Sequence, residues 1–473
     1  MLYFFFVYNT FYVDFKTATK STKASDSYKA NGNASNTVNK EKLDPPSYQQ
    51  QPKRNAMKTK SAKASQPVRK KKNRKVLKTA TEEPDPEKYM NDRGFKYKLD
   101  IQRETFTSLS KEEQNKYRSN LRQYALSAKS RTLSSSLRFD WGNLPPMTKL
   151  GKLFDNTQNQ CQHPESKNEL VKWKLMGAGM GSSIHTYSNA LCEATYHNRI
   201  LITDSLDSNK KRWSWNEKEH CDDLIKSRDR SSNADLPHSL LWCYFGSHES
   251  GERCPKGSLK STNFVEASLE DMYHHPCREW YTEYGRQATH GAAMEFLFQN
   301  VTDIVIQEAE KQMKEMNVVP TEDFITIHIR WGDKWREMKL VSIEDYVNAT
   351  KKILTKKERN GEVDVNIYIA SEDPIAIQKF KEVAPSHWII HQSGPKVSKD
   401  GERMKKIANS SGGKAGLESL GALLISMQAN RYVLSTGSNW SRLINELRKN
   451  IVDPRCGKCT TVAEFVDRIS SFL

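Results

Sequence analysis

From about residue 320 onward, short β-rich runs alternate with amphipathic stretches, and this alternation restricts the fold more than any other feature of the chain. Phe324–Ile329, Val365–Ala370, Trp388–His391 and Tyr432–Ser435 read as strands. Ile343–Lys357, Pro374–Val383, Glu418–Ala429 and Trp440–Lys449 read as helices, the second opened by a proline in its first turn. Strands that alternate with helices predict a parallel, doubly wound α/β sheet. Ligands of such sheets bind beyond the carboxyl ends of the strands, so those ends are where chemistry is sought.

A second α/β pattern starts near Leu170. Val171–Met176 reads as a strand, Gly177-Ala-Gly-Met-Gly181 as a tight turn, Ser182–His197 as a helix and Arg199–Thr203 as another strand. The Trp- and Cys-rich stretch 205–280 yields no regular elements, and Gly291–Met316 reads as one long helix. Residues from Glu87 to Leu137 are charged and free of proline, and predict one or two helices forming an arm. The expected organisation is a tail over 1–82, a helical arm over 83–140, an open α/β domain over 141–318 and a Rossmann-like domain over 319–473.

Composition matters mainly for the tail. Met1 to Ala80 holds 18 Lys/Arg against 4 Asp/Glu, a net charge of +14 out of +17 for the 473-residue chain. Few apolar residues interrupt Lys16–Ala80, so little area could be buried against the entropy of ordering it, and it reads as disordered. Its basic core, Arg69-Lys-Lys-Lys-Asn-Arg-Lys75, invites a nuclear or nucleic-acid reading. No aromatic side chains interleave it as stacking partners, so a solvated stalk is preferred and no nucleic-acid partner is expected. The stretch Met1–Phe15 is apolar over too short a run to span a bilayer, which needs about 20 residues, and it reads as the remnant of a signal anchor.

Eight cysteines fit a disulfide-forming compartment, and Cys456-Gly-Lys-Cys459 reads as a local disulfide before half of a zinc site. Sequons occur at Asn33, Asn300, Asn348, Asn409 and Asn439.

Three polar groups fall at the predicted strand ends. His328-Ile-Arg-Trp-Gly-Asp-Lys334 follows the first strand, with Glu337 three residues on. Ser371-Glu-Asp373 follows the second, and Ser435-Thr-Gly-Ser-Asn439 runs from the last strand into a helix. Hydroxyls and helix N-terminal amides suit a phosphate, and the planar guanidinium of Arg330 can clasp phosphate oxygens in a bidentate manner. No lysine P-loop and no Asp-x-Asp triplet occurs in the chain. The leaving-group charge then falls to Arg330 and backbone amides, with Glu337 as candidate general base. Taken singly, these charges read more readily as surface ion pairs; their convergence on one sheet edge favours function. Gly179 and Gly181 read either as a tight turn or as part of a donor-binding loop.

These residues resemble the α-1,6-fucosyltransferases. The segments GAGMGSSIHTYSNAL, HPCREWY, HIRWGDK, IYIASEDP and STGSNWSRLINELR occur in the family's order, over roughly residues 140–450. The resemblance implies a GT-B-like architecture of two Rossmann-type units, a GDP-fucose donor, an inverting displacement without metal or other cofactor, and a glycan acceptor, the 6-position of the innermost GlcNAc of N-glycans among the expectations. It implies that His328 contacts guanine, that Arg330 binds the β-phosphate, and that Asp333, Lys334 and Glu337 form the charged catalytic cluster with Glu337 as base. Gly179, Gly181, Tyr346, Glu372, Asp373, Ser438 and Asn439 are the further donor-binding positions. A Golgi-lumenal, type II membrane setting follows from the same resemblance, with membrane association through a truncated N-terminal anchor.

Two departures bear on function. An aspartate that pairs with guanine in the family falls at Ala422, with Glu418 one helical turn earlier as a substitute. Two cysteines flanking the glycine loop of animal members are Ala178 and Ser182, and the Src-homology-3-like domain that ends those members has no counterpart before Leu473. The alternatives are therefore a fucosyltransferase for another glycan or a protein hydroxyl, a catalytically inactive nucleotide-sugar-binding protein, and a nucleic-acid-binding protein led by the tail.

Overall fold

Buried apolar runs in the second half of the chain form the sheet that their spacing predicts. The structure is a computed structural model. It describes residues 97–103, 111, 112, 115, 137–159, 170–174, 178–203, 213–229, 239, 241–246, 264–266, 283–318, 324–332, 334, 338–395 and 404–466. The basic tail and the N-terminal apolar run lie outside these, as do Gly177, Asp333 and Glu337.

Among the described residues the strands are β1 (Lys98–Arg103), β2 (Leu170–Trp173), β3 (Ile200–Thr203), β4 (Phe264–Glu266), β5 (Ile325–His328), β6 (Val365–Ala370), β7 (Trp388–Gln392), β8 (Arg431–Ser435) and β9 (Thr461–Val466). Six form one sheet in the order β1-β9-β8-β5-β6-β7. All of its pairings are parallel except that of β1 with β9, and β1 forms one edge of the sheet. β5 is buried along its whole length, as a strand covered on both faces must be.

Alternate residues feed two cores. Ile367, Ile369, Val433 and Phe465 pack with Tyr346, Val347 and Phe380 on one face. Tyr368, Tyr432 and Leu434 pack with Leu423, Leu443 and Leu447 on the other. Each fully buried Ile, Leu or Phe contributes about 2 kcal/mol to holding the layers together.

The helices that set the site are α1 (Met180–Tyr196), α2 (Arg286–Leu297), α3 (Asp303–Glu315), α4 (Ile343–Ile353), α5 (Pro374–Val383), α6 (Lys414–Ser426) and α7 (Asn439–Leu447). α4 begins where Ser342 accepts a hydrogen bond from the Asp345 amide at 3.0 Å, with Glu344 and Asp345 in the first turn and Lys351 and Lys352 in the last. Such a cap stabilises a helix by about 1 kcal/mol, and the charges match the helix dipole. β2, β3 and β4 make a second, smaller parallel sheet, with α1 crossing from β2 to β3.

Two sequence expectations are corrected. Residues 98–103 lie within the stretch read as a helical arm, yet they form β1: Leu99 and Ile101 alternate toward the core while the intervening side chains stay polar. The single helix over Gly291–Met316 is broken between α2 and α3. There the Val301 amide donates to the Trp141 carbonyl at 2.7 Å, and the Thr302 amide and hydroxyl donate to the carbonyls of Tyr244 and Cys243 at 2.9 and 2.7 Å. Backbone groups with partners elsewhere have no need of a continued helix.

Cys221 is bonded to Cys243, and Cys456 to Cys459, the local disulfide anticipated. Cys192 is also in a disulfide. No helix among the described residues is long and apolar enough to cross a membrane.

Candidate functional site at the carboxyl edge of the large sheet

The parallel register sets the ends of β5, β6 and β8 side by side, and each end delivers polar groups to the same edge. His328 closes β5. It is buried, and its Nδ1 lies 2.6 Å from the Ser441 hydroxyl of α7. The same hydroxyl accepts from the Ser435 amide at 3.1 Å, so His328 and the turn after β8 are tied through one serine. Burial, and next the charge of Arg330, lower the His328 pKa to about 3, and the imidazole is neutral at ordinary pH.

Arg330, two residues past His328, is paired with Glu372 from the end of β6. The guanidinium that could serve an anionic ligand is thus already held by a carboxylate across the strand ends. Asp373 has a different employment: its Oδ1 accepts from the amides of Ile375 and Ala376 at 2.8 and 3.2 Å, which caps α5. The Ser371 hydroxyl donates to the Ile329 carbonyl at 2.9 Å and accepts from the Asp373 amide, binding the ends of β5 and β6 together. Gly332 turns the chain with φ of +71°, a region open to glycine at little cost. A Cβ there would lie 3.4 Å from Asp373 Oδ2.

Tyr346 of α4 is fully buried beneath this edge. Its hydroxyl lies against the Arg330 main chain and the Ser435 side chain, and burial raises its pKa well above the usual tyrosine value. It supports the strand end from below.

The turn after β8 leads into α7, with Ser438 at the N-cap position and its side chain making no cap bond. Asn439 reaches away from its own strand: its Nδ2 donates to the Ser182 hydroxyl of α1 at 2.7 Å, and its Oδ1 accepts from Arg442. α1 runs close beside the start of α7: a Cβ on Gly181 would be in ordinary contact with Asn439 and Trp440, 3.4 Å away. Gly179, at the N-cap position of α1, has open space where a Cβ would be. The glycine turn and the β8 turn, read separately from sequence, therefore meet, and two helix N-termini stand at one place. Helix N-termini carry unpaired amides and a positive end, which favours an anion.

Described residues in the loop after β5 make two contacts of their own. Trp331 Nε1 donates to the Val341 carbonyl at 2.9 Å, and the Met338 amide donates to the Lys334 carbonyl at 2.9 Å. Met338 lies over Gly437, where a Cβ would meet its Cε at 2.8 Å. Lys334 is half-buried on this loop, whereas Asp333 and Glu337 lie outside the described residues.

Ala422 on α6 faces the end of β7: a Cβ on Gly394 would come within 3.2 Å of the Ala422 Cβ. The Tyr368 hydroxyl nearby is 2.7 Å from the Ser393 hydroxyl. Glu418, the suggested substitute, has its carboxylate 3.8 Å from Lys414, one turn further from Ala422, and burial raises its pKa. Among the sequons, Asn348 and Asn409 are exposed, Asn300 is half-buried, and Asn439 is engaged as described. Sequence reading did not find Ser182 or Ser441: a serine whose partner lies far along the chain leaves no local pattern.

No family model matches the chain, and no curated protein matches it. Among solved structures it is similar to fucosyltransferases. NodZ alpha-1,6-fucosyltransferase soaked with GDP-fucose is 12% identical with a TM-score of 0.34, over 59% of this chain and 93% of that one. POFUT1 in complex with GDP is 11% identical with a TM-score of 0.35, over 63% and 99%. A variant of Arabidopsis thaliana FUT1 in complex with GDP is 13% identical with a TM-score of 0.33, over 72% and 78%. Similarity at this level assigns no ligand and no residue role to the present chain.

Proposed function

We propose that the chain is a glycosyltransferase that moves fucose from GDP-fucose to a glycan hydroxyl, with inversion and with no metal ion. The observation that carries this reading is the meeting, at one sheet edge, of Arg330 and Glu372 with the N-termini of α1 and α7. Such an edge suits a diphosphate held without a lysine P-loop. The family motifs at these positions support guanine and fucose as the rest of the donor.

In the proposed reaction Arg330 and the helix amides take up charge as the nucleoside diphosphate departs. Glu337 accepts the proton of the attacking hydroxyl, and Lys334 adds positive charge to the same loop. His328, neutral, offers a hydrogen bond to the base, and Tyr346 keeps Arg330 in place from below. An N-linked acceptor and Golgi residence belong to the same proposal and rest on the motif resemblance alone. A second reading, an inactive nucleotide-sugar binder, is favoured by Ala422 and by the engagement of Glu418 with Lys414.

The test is calorimetry on the full chain with EDTA present, comparing GDP, GDP-fucose, GDP-mannose and UDP-galactose. Selective binding of GDP and GDP-fucose is expected. Equal binding of the uridine donor would defeat the guanine reading, and loss of binding in EDTA would defeat the metal-free one.

A further inference from the structure

Cys456 and Cys459, three residues apart, are bonded in the turn that leads into β9. The turn has other means of keeping its shape. Asp453 Oδ1 accepts from the Thr460 amide and hydroxyl at 3.2 and 2.7 Å. Arg448 Nη1 donates to Asp453 Oδ2 at 2.9 Å and to the Thr460 hydroxyl at 2.7 Å. The Lys458 amide donates to the Asp453 carbonyl, and the Thr461 amide to the Asn430 carbonyl, both at 2.8 Å. A cross-link that closes so short a loop restricts the unfolded chain little. One Asp453 oxygen lies within 4.8 Å of both sulfurs, but the carboxylate is engaged in these bonds rather than offered to a metal.

The two sulfurs are unlike. Cys459 is exposed, and Cys456 is half-buried. Arg138 Nη2 stands 3.3 Å from Cys459 Sγ, and Arg138 Nη1 donates to Asn430 Oδ1 at 2.6 Å. Asn430 Oδ1 in turn lies 3.2 Å from Cys459 Sγ. Once reduced, Cys459 has a partner in either form: its thiol can donate to the Asn430 oxygen, and its thiolate is drawn to the guanidinium. Cys456 Sγ accepts from the Cys459 amide at 3.2 Å, a contact that eases the departure of a thiolate. The surroundings are cationic: Arg448, Lys449, Arg455 and Lys458 stand against Asp453 alone over residues 448–459, and Arg138 adds to them. Cys221 and Cys243 offer no such opening, since both are buried.

We propose that the Cys456–Cys459 pair is a thiol–disulfide exchange site whose substrate is a low-molecular-weight thiol bearing a carboxylate. The substrate thiolate attacks Cys459 Sγ, the exposed sulfur. A bond forms between those two sulfurs, the Cys456–Cys459 bond breaks, and its electron pair leaves on Cys456 as a thiolate. A second substrate thiolate then attacks the substrate sulfur of the mixed disulfide. Cys459 leaves as a thiolate beside Arg138, and the disulfide of the small thiol is released. Two electrons pass from two thiols to the protein, and the two protons those thiols gave up are balanced by the two cysteines. Arg138 acts in both steps, attracting the carboxylate and receiving the leaving sulfur. The exchange site stands apart from the function proposed above and does not depend on it.

The experiment exposes the full-length chain to reduced glutathione and, in parallel, to cysteamine, which has no carboxylate, at equal thiolate concentration. Samples are quenched over time and their peptides read by mass spectrometry. Cys456–Cys459 should open at least about tenfold faster than Cys221–Cys243, with the adduct on Cys459. Glutathione should react about threefold faster than cysteamine, and Arg138→Gln should slow glutathione by about fivefold while changing cysteamine less. The melting temperature should stay the same after selective opening. Opening no faster than that of Cys221–Cys243, or an adduct on Cys456, overturns the proposal. So does a rate for cysteamine equal to that for glutathione, since the carboxylate would then play no part. A melting temperature lowered by selective opening makes the bond a structural brace and overturns the exchange role. Should Arg138→Gln fail to fold, the comparison of the two thiols on the unaltered chain still decides.

Discussion

The two sheets contribute unequally to the edge where they meet. The ends of β5, β6 and β8 in the large sheet bring a guanidinium, a carboxylate, a buried imidazole and several hydroxyls, each held by a partner from a neighbouring strand or helix. The small sheet brings the start of α1, with Gly179, Gly181 and one serine. The larger element thus holds the charges, and the smaller one supplies amides and a close approach. Chemistry is expected to reside on one side and spacing on the other.

That division can be broken by substitution. The largest effect is expected at Glu337→Gln, which should reduce transfer by about 1,000-fold or more while GDP binds as before. Retained turnover would remove Glu337 from the role of base. Arg330→Ala should cost roughly 100-fold in turnover and weaken GDP binding too, since it removes charge stabilisation and leaves Glu372 without its partner. Glu372→Gln sharpens the question, because this carboxylate stands where a phosphate would compete for Arg330. Tighter GDP binding, by about fivefold, is expected from calorimetry; weaker binding would make Glu372 a ligand contact in its own right.

On the small-sheet side, Ser182→Ala should weaken GDP binding by only about threefold and leave turnover of bound donor unchanged. A loss as large as that of Arg330→Ala would end the division of labour.

The smallest effect concerns pH. The folded chain holds the His328 pKa near 3, below the ordinary value of 6.5. Between those values the unfolded chain binds a proton that the folded chain does not. The stability contribution is thus whole above pH 6.5 and is lost as pH falls through this window. Thermal melts of His328→Gln should therefore decline less steeply between pH 6.5 and 4 than those of the unaltered chain.

Much of the large sheet is legible in sequence because its central strands are continuous apolar runs with helices of regular period between them. Val365–Ala370 and Pro374–Val383 end where their patterns end. β1 was not legible. Only Leu99 and Ile101 face the core, and a strand with two inward residues is specified by its partner rather than by its own pattern. The break after α2 was hidden for a related reason, since apolar periodicity runs on while the carbonyls of Trp141 and Tyr244 claim the amides. At the site, residue types and strand-end positions were readable, so sequence already places Arg330, Glu372, Ser438 and Asn439 at this edge. Their employment was not readable: sequence groups Glu372 and Asp373 as one acidic pair, whereas one neutralises Arg330 and the other caps a helix.

The pairing of β1 with β9 has a consequence for biosynthesis. During translation the first described strand emerges long before the last, and Lys98 must wait for Val466. Contacts of such sequence separation carry a large loop-closure cost and form late. Tyr97, whose ring meets Phe465 of β9, comes into place only with that closure. Synthesis through β9, rather than folding of the central strands, is then the step that completes the six-stranded sheet.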